Sequence, residues 1–87
     1  MKSILGVGKK VFIRTVTHHF TGKVKKIDKM GVVLETAAWI ADDGRFSDAL
    51  TKGILNEVEP YPDPVWIPLT AIIDATNWNF DLPTVQK

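Results

Sequence analysis

Alternating apolar and polar positions predict a β-strand near the start of the chain. In the segment VFIRTV, Val11 and Ile13 share one face and Arg14 lies on the other. Thr15 continues the apolar face, and the β-branched residues of the segment favour an extended backbone over a helix. We therefore predict the first strand over residues 9–16.

A second strand follows the polar break at residues 17–19, and its pattern predicts a bend. The alternation assigns two faces: Phe20, Gly22 and Val24 point inward, and Thr21, Lys23 and Lys25 point outward. The pattern slips by one residue at Lys26, which indicates a β-bulge near Lys25 and Lys26. A glycine inside a strand indicates a sharp bend or a close backbone approach. Gly22 and the bulge together predict the curvature that a small barrel needs.

The next residues predict a turn and a strand that is buried on both faces. Residues 28–31 form the turn, and residues 32–40 form a third strand. Because Val32, Val33 and Leu34 are consecutive apolar residues, neither face of this strand is expected to face water.

A long insert follows at residues 41–64. Asp43-Gly44 is a hairpin signal. We prefer a short helix at residues 46–52, because the segment SDALTKG offers Ser47 as an N-cap and a glycine at its end. The prolines of residues 60–64 predict an extended connector rather than a strand.

Two short apolar segments near the C-terminal end predict strands four and five, at about residues 65–67 and 71–76. Pro68 favours a tight turn between them. The last ten residues contain Trp78 and Phe80, so we expect them to pack along a sheet edge or against a neighbouring subunit. The whole pattern predicts one all-β domain, a small, strongly bent, five-stranded open barrel with one short helix in the insert.

Composition favours association of subunits. The chain has 87 residues, 45% of them hydrophobic, and no cysteine, so subunit contacts are expected to cover apolar surface that one small core cannot bury. No apolar run approaches the ~18 residues of a membrane span, and the first residues are too short for a signal peptide. We therefore expect a soluble, cytoplasmic protein.

The net charge of +1 conceals an uneven distribution. Residues 1–29 carry eight basic residues and one acidic residue, whereas residues 30–64 carry two basic and seven acidic residues. Three interpretations stay open: a basic patch that binds phosphates, a basic region that docks on the acidic region of the next identical subunit, or an ordinary solvated surface.

The side chains that could support catalysis or metal binding fit a polar surface better. His18 and His19 are adjacent, so in a strand they point to opposite faces and cannot share a metal. Asp42, Asp43 and Asp48 lack the alternating oxygen ligands and the closing glutamate of a calcium loop. The sequence has no phosphate-binding loop, dinucleotide fingerprint or nucleophile elbow. We expect no catalytic residues, no metal site, no cofactor and no enzymatic activity.

Three groups of residues give the chain a resemblance to a known family. They are Val11, Ile13 and Val16; Gly22, Val24, Asp28 and Met30; and Val32, Val33 and Leu34. In this order and spacing they resemble the first motif of Sm-like proteins, and they are most similar to the bacterial Hfq branch. The segment VWIPLTAII is similar to the second motif. The resemblance covers residues 9–40 and 65–76 and implies an Sm-like/SH3-like barrel.

Several features depart from the family pattern. The segment before Lys9 is too short for the N-terminal helix of Hfq-like proteins, and the insert is longer than the usual hairpin. Gly31 stands in the region of a base-contacting asparagine, and Ile67-Pro68-Leu69 replaces a basic pair that binds RNA. The chain thus resembles a divergent, phage-encoded member, whose function must be argued separately from its fold.

The resemblance implies a homo-oligomeric ring of about five to seven subunits, in which the fourth strand of one subunit pairs with the fifth strand of the next. The predicted interface residues are Trp66, Ile67, Ala71, Ile72 and Ile73. The turn after the second strand would lie near the central opening, where symmetry multiplies its charge. The predicted RNA-binding residues there are Lys25, Lys26, Lys29 and Met30.

Functions from two classes follow, and a third interpretation stays open. The first is a ring that binds single-stranded RNA with weak sequence specificity, as an RNA-chaperone-like module. The alternative is a structural or scaffold ring that engages a protein partner through the acidic insert and the aromatic C-terminal segment, without nucleic acid. The third is a monomeric SH3-like adaptor. Four aromatic residues are candidates for base stacking, but they are predicted to pack or to anchor an interface instead: Trp39, Tyr61, Trp66 and Trp78.

Overall fold

A computed structural model describes residues 4–87 as a mainly β fold with one short α-helix. Its elements in chain order are β1 (Lys10–Thr15), β2 (His19–Ile27), β3 (Gly31–Asp42), α1 (Phe46–Lys52), β4 (Glu57–Pro60), β5 (Val65–Pro68), a 3₁₀ helix (Leu69–Ala71) and β6 (Ile72–Asn77). The strands form one antiparallel sheet in the order β4-β3-β2-β1-β6, and β5 pairs with the same edge of β3 as β4. The predicted all-β class, with an open sheet and one short helix, is confirmed.

Two irregularities interrupt the regular pairing of β2 and β3. The register shifts opposite Gly22, where β3 contains one extra residue and Thr36 has a φ of 49°. A Cβ on Gly22 would lie 2.9 Å from the Cβ of Leu34, so this close approach requires glycine. The register shifts again at Lys25, which has no partner in β3. The close backbone approach at Gly22 and the bulge near Lys25 are therefore confirmed.

Two hydrophobic clusters pack on the sheet, and each buries part of one face. The first cluster contains Val11, Ile13, Phe20, Val24, Val32, Leu34, Ala37 and Ile67. The second cluster contains Phe12, Ala38, Ile40, Ala49, Leu55, Val58 and Trp78. Helix α1 and the segment after β6 close the second cluster, to which they contribute Ala49 and Trp78. The insert therefore builds part of the core.

Four details of the sequence interpretation are wrong. The insert contains strand β4, so the sheet has six strands within residues 4–87 rather than five. Helix α1 does span residues 46–52, but its N-cap is Arg45, and Ser47 lies inside the helix. Ala71 belongs to the 3₁₀ helix and not to the last strand. Thr21 is fully buried rather than solvent-exposed, because the second cluster covers its face of the sheet.

The buried hydroxyl of Thr21 leads to a stability prediction. Its Oγ1 has no hydrogen-bond partner among the described residues, and Thr21 lies between Phe12 and Ala38 in the sheet. Valine has the same shape without the hydroxyl, so we expect Thr21→Val to raise the free energy of unfolding by about 1–2 kcal/mol in urea denaturation.

Thr15 provides the matched control for this substitution. It is also buried, but its Oγ1 donates to the carbonyl of His18 at 2.8 Å and accepts from the His18 N–H at 3.0 Å. Thr15→Val removes both hydrogen bonds and should destabilise the fold. A destabilised Thr21→Val variant would contradict the prediction.

None of the helices between residues 4 and 87 has the length and apolar character needed to span a bilayer.

Candidate nucleic-acid interface

The turn between β2 and β3 is fixed by Asp28. Its Oδ1 accepts hydrogen bonds from the backbone N–H groups of Met30, at 2.8 Å, and Gly31, at 3.1 Å. These two hydrogen bonds hold the pKa of the Asp28 carboxyl below its usual range, so the group is ionised at neutral pH. The turn thus has a defined backbone from which Lys29 and Met30 extend into solvent.

Three lysines surround this turn, and we refer to residues 25–31 as the lysine turn. Lys25 occupies the bulge, Lys26 lies near the end of β2, and Lys29 lies in the turn itself. All three are exposed, and within residues 4–87 none of their side chains forms an ion pair or a hydrogen bond. Met30 is 70% exposed beside them. The four predicted RNA-binding residues are therefore all exposed and lie in or directly beside one turn.

The connection between β5 and β6 packs against the lysine turn. The backbone N–H of Leu69 donates to the carbonyl of Met30 at 3.0 Å, and Gly31 pairs with Pro68. A Cβ on Gly31 would lie only 2.4 Å from Nε1 of Trp66, so glycine is needed to admit the indole. The sequence analysis placed Gly31 in the turn and in the region of a base-contacting asparagine, and the pairing of β3 with β5 adds its contact with Trp66.

Two other basic residues in the first part of the chain, Arg14 and Lys10, are engaged in the fold. The Nε of Arg14 donates to both carboxylate oxygens of Asp74, at 2.9 and 3.1 Å, and the guanidinium lies 5.0 Å from the ring centre of Phe46. The Arg14 hydrogen bonds lower the pKa of the Asp74 carboxyl. Lys10 Nζ donates to the carbonyl of Phe80 at 2.6 Å. Arg14 and Lys10 are therefore less available to a ligand than the three lysines of the lysine turn.

The residues predicted for the subunit interface differ in exposure. Trp66 and Ile73 are 56% and 61% exposed, whereas Ala71 and Ile72 are half-buried. Ile67 is 3% exposed and belongs to the first cluster, so it can offer only its backbone to another chain. In the part of the chain that the structure describes, no strand pairs with the outer edge of β5 or of β6.

The two histidines have separate partners at the other end of β2. His19 Nδ1 lies 2.7 Å from an Asp43 carboxylate oxygen, and His18 Nδ1 lies 2.7 Å from the Thr17 hydroxyl. Beside them is a pocket of about 320 Å³ lined by Thr17, His19, Trp39, Ile40, Ala41, Asp42, Asp43 and Gly44. The Asp42 and Asp43 carboxylates in this lining would repel a phosphate group. Between residues 4 and 87, no group of three or more His, Cys, Asp or Glu side chains could hold a metal ion.

Comparisons of the chain with protein-family models, with curated proteins and with solved structures find no match. The resemblance to Sm-like proteins therefore stays a prediction from the sequence. Function has to be inferred from the lysine turn and from the unpaired strand edges.

Proposed function

We propose that this protein forms a homo-oligomeric ring that binds single-stranded RNA through the lysine turn. The observation that supports binding is the exposure of Lys25, Lys26 and Lys29, whose side chains have no ion-pair partner among the described residues. Ammonium groups attract phosphates without reading base edges, so sequence specificity is weak. The resemblance to Sm-like proteins favours RNA as the ligand.

The unpaired strand edges support ring formation. The outer edges of β5 and β6 belong to different strands, so β5 of one subunit can pair with β6 of the next in a head-to-tail contact. Natural sheets rarely leave such edges open. A ring of about five to seven subunits, which the resemblance implies, would repeat the lysine turn around one axis and strengthen phosphate binding by multivalency.

Binding of short RNA at two salt concentrations tests this proposal. Fluorescence anisotropy with labelled oligouridine and oligoadenine should show similar affinities that fall as salt rises, with a log–log slope of about −0.7 for each phosphate contact. If neither RNA binds at low salt, RNA binding is refuted and the scaffold ring is the better explanation.

Neutralising the lysine turn should weaken this binding. We expect the triple variant with Lys25, Lys26 and Lys29 replaced by glutamine to lose at least about tenfold in affinity at low salt and to show a shallower salt dependence, because phosphate contacts are lost in every subunit.

A second triple variant controls for net charge. Replacing Arg45, Lys52 and Lys87 by glutamine removes the same charge from the insert and the C-terminal segment, and it should reduce affinity much less. Light scattering must give the same mass for both variants and the wild type. Equal losses of affinity in the two variants would contradict a specific role of the lysine turn.

A further inference from the structure

The sheet face opposite the first cluster has a part that the second cluster leaves exposed, and there a row of residues crosses β2, β3 and β5. Lys26 pairs with Val33, and Val33 pairs with Trp66. Residues that lie directly opposite each other in neighbouring strands point to the same face. Lys26 and Trp66 are exposed, and two strand spacings, about 10 Å, separate their backbones. The row therefore combines a cation and an aromatic ring on one solvent-facing surface.

The indole of Trp66 is supported by the backbone of Gly31. A Cβ at position 31 would lie 2.4 Å from Nε1 and 2.5 Å from Cε2 of the indole, which therefore lies directly over this glycine. Trp66 nevertheless keeps 56% of its surface exposed. Its ring is thus held against the sheet at the start of β3, next to the lysine turn, and remains accessible to a planar ligand.

The other two tryptophans have packing partners that Trp66 lacks. Trp78 is buried and stacks on Phe12 with ring centres 5.9 Å apart, and the ring of Trp39 lies 5.4 Å from that of His18. Among the described residues, Trp66 contacts no other aromatic ring and belongs to neither hydrophobic cluster. Core packing therefore does not account for tryptophan at this position.

We propose that Trp66 is a base-stacking platform for single-stranded nucleic acid, while Lys26 and Lys29 bind the flanking phosphates. The inference rests on the proposed function of the lysine turn and specifies its ligand as an unstacked nucleobase. Every base has a face that can stack on an indole, so the contact is tolerant of sequence. In a duplex the bases are already stacked on one another, so the site selects single strands.

An oligonucleotide with abasic positions separates base contacts from phosphate contacts. Oligouridine and an abasic strand of equal length carry the same phosphates, so a difference in affinity between them reports on the bases. We expect the wild type to bind oligouridine about five- to 150-fold more tightly for each stacked base. Trp66→Ala should bind both strands equally, and Trp66→Phe should keep part of the difference.

Trp39 is the matched control because it is a partly exposed tryptophan outside the lysine turn. Trp39→Phe should keep the full preference for oligouridine. Bases that stack on Trp66 should also quench indole fluorescence in the wild type and in Trp39→Phe but not in Trp66→Phe. Because Trp66 is also a predicted interface residue, thermal unfolding and light scattering must show that each variant folds and assembles like the wild type. If Trp66→Ala fails either check, the comparison of Trp66→Phe with the wild type decides the question.

The outcomes distinguish this inference from the proposed function. Equal affinity of the wild type for oligouridine and the abasic strand overturns stacking but leaves phosphate binding by the lysine turn intact. The role of Trp66 is also overturned if Trp66→Phe keeps the full preference for oligouridine over the abasic strand. It is likewise overturned if Trp39→Phe loses that preference. No binding of either strand at low salt overturns both proposals.

Discussion

Replacing Trp78 with alanine is expected to lower the free energy of unfolding by about 3–5 kcal/mol. Trp78 is 2% exposed, and its ring centre lies 5.9 Å from that of Phe12 and 5.2 Å from that of Phe80. Its Nε1–H donates to the carbonyl of Asp81 at 3.1 Å. Alanine would remove these contacts and leave a cavity in the second cluster, where the sheet, α1 and the C-terminal segment meet.

Urea denaturation followed by circular dichroism measures this loss. Trp39→Ala is the matched control because Trp39 is 36% exposed and lies outside both clusters, so it should cost less. Trp78→Phe should fall between the two, since it keeps a ring against Phe12 but loses the hydrogen bond to Asp81. A Trp78→Ala variant as stable as Trp39→Ala would contradict the assignment of Trp78 to the core.

The irregularities of β2 and the position of α1 could be predicted from the sequence because their causes are local. The bulge at Lys25 appears as a slip in the alternation of one strand, and Gly22 marks the close approach to Leu34. The helix ends at Lys52 and is capped by Gly53, whose φ of 71° is readily adopted by glycine. Each signal lies within a few residues of the feature that it specifies.

The second buried face of the sheet could not be predicted, because it depends on contacts between distant segments. Thr21 fits a solvent-facing position until α1 and Trp78 cover that side. The acidic residues and proline of β4 disfavour a strand, yet β4 pairs with the far end of β3. Its other edge is partly covered, since Val58 and Lys87 exchange two backbone hydrogen bonds of 2.8 and 2.9 Å.

The candidate site, like the fold, could be predicted from the sequence only in part. The exposure of Lys25, Lys26 and Lys29 follows from a polar turn in the sequence, and the structure agrees. The position of Trp66 over Gly31 does not follow from the sequence, because it requires the pairing of β5 with the start of β3. Local sequence patterns therefore predicted the charge of this surface, whereas the position of Trp66 beside it depends on the pairing of distant strands.

Replacing Ile73 with lysine is expected to convert the proposed ring into monomers. Ile73 is 61% exposed in β6, whose outer edge has no partner among the described residues. A lysine on an edge strand opposes pairing with another chain, because its ammonium group would have to lose water against an apolar neighbour. Without the ring, multivalent binding is lost, so affinity for RNA should fall by about 10²–10⁴-fold.

Light scattering at micromolar concentration and anisotropy at low salt measure the two effects of Ile73→Lys. Val16→Lys is the matched control, since Val16 is 80% exposed in the loop between β1 and β2 and the substitution adds the same charge. It should keep the mass of the wild type and bind RNA at least as tightly as the wild type. A monomeric wild type, or an Ile73→Lys variant of unchanged mass, would contradict assembly through β6. Because an added positive charge alone would tighten RNA binding, a loss of affinity in Ile73→Lys but not in Val16→Lys must arise from lost assembly.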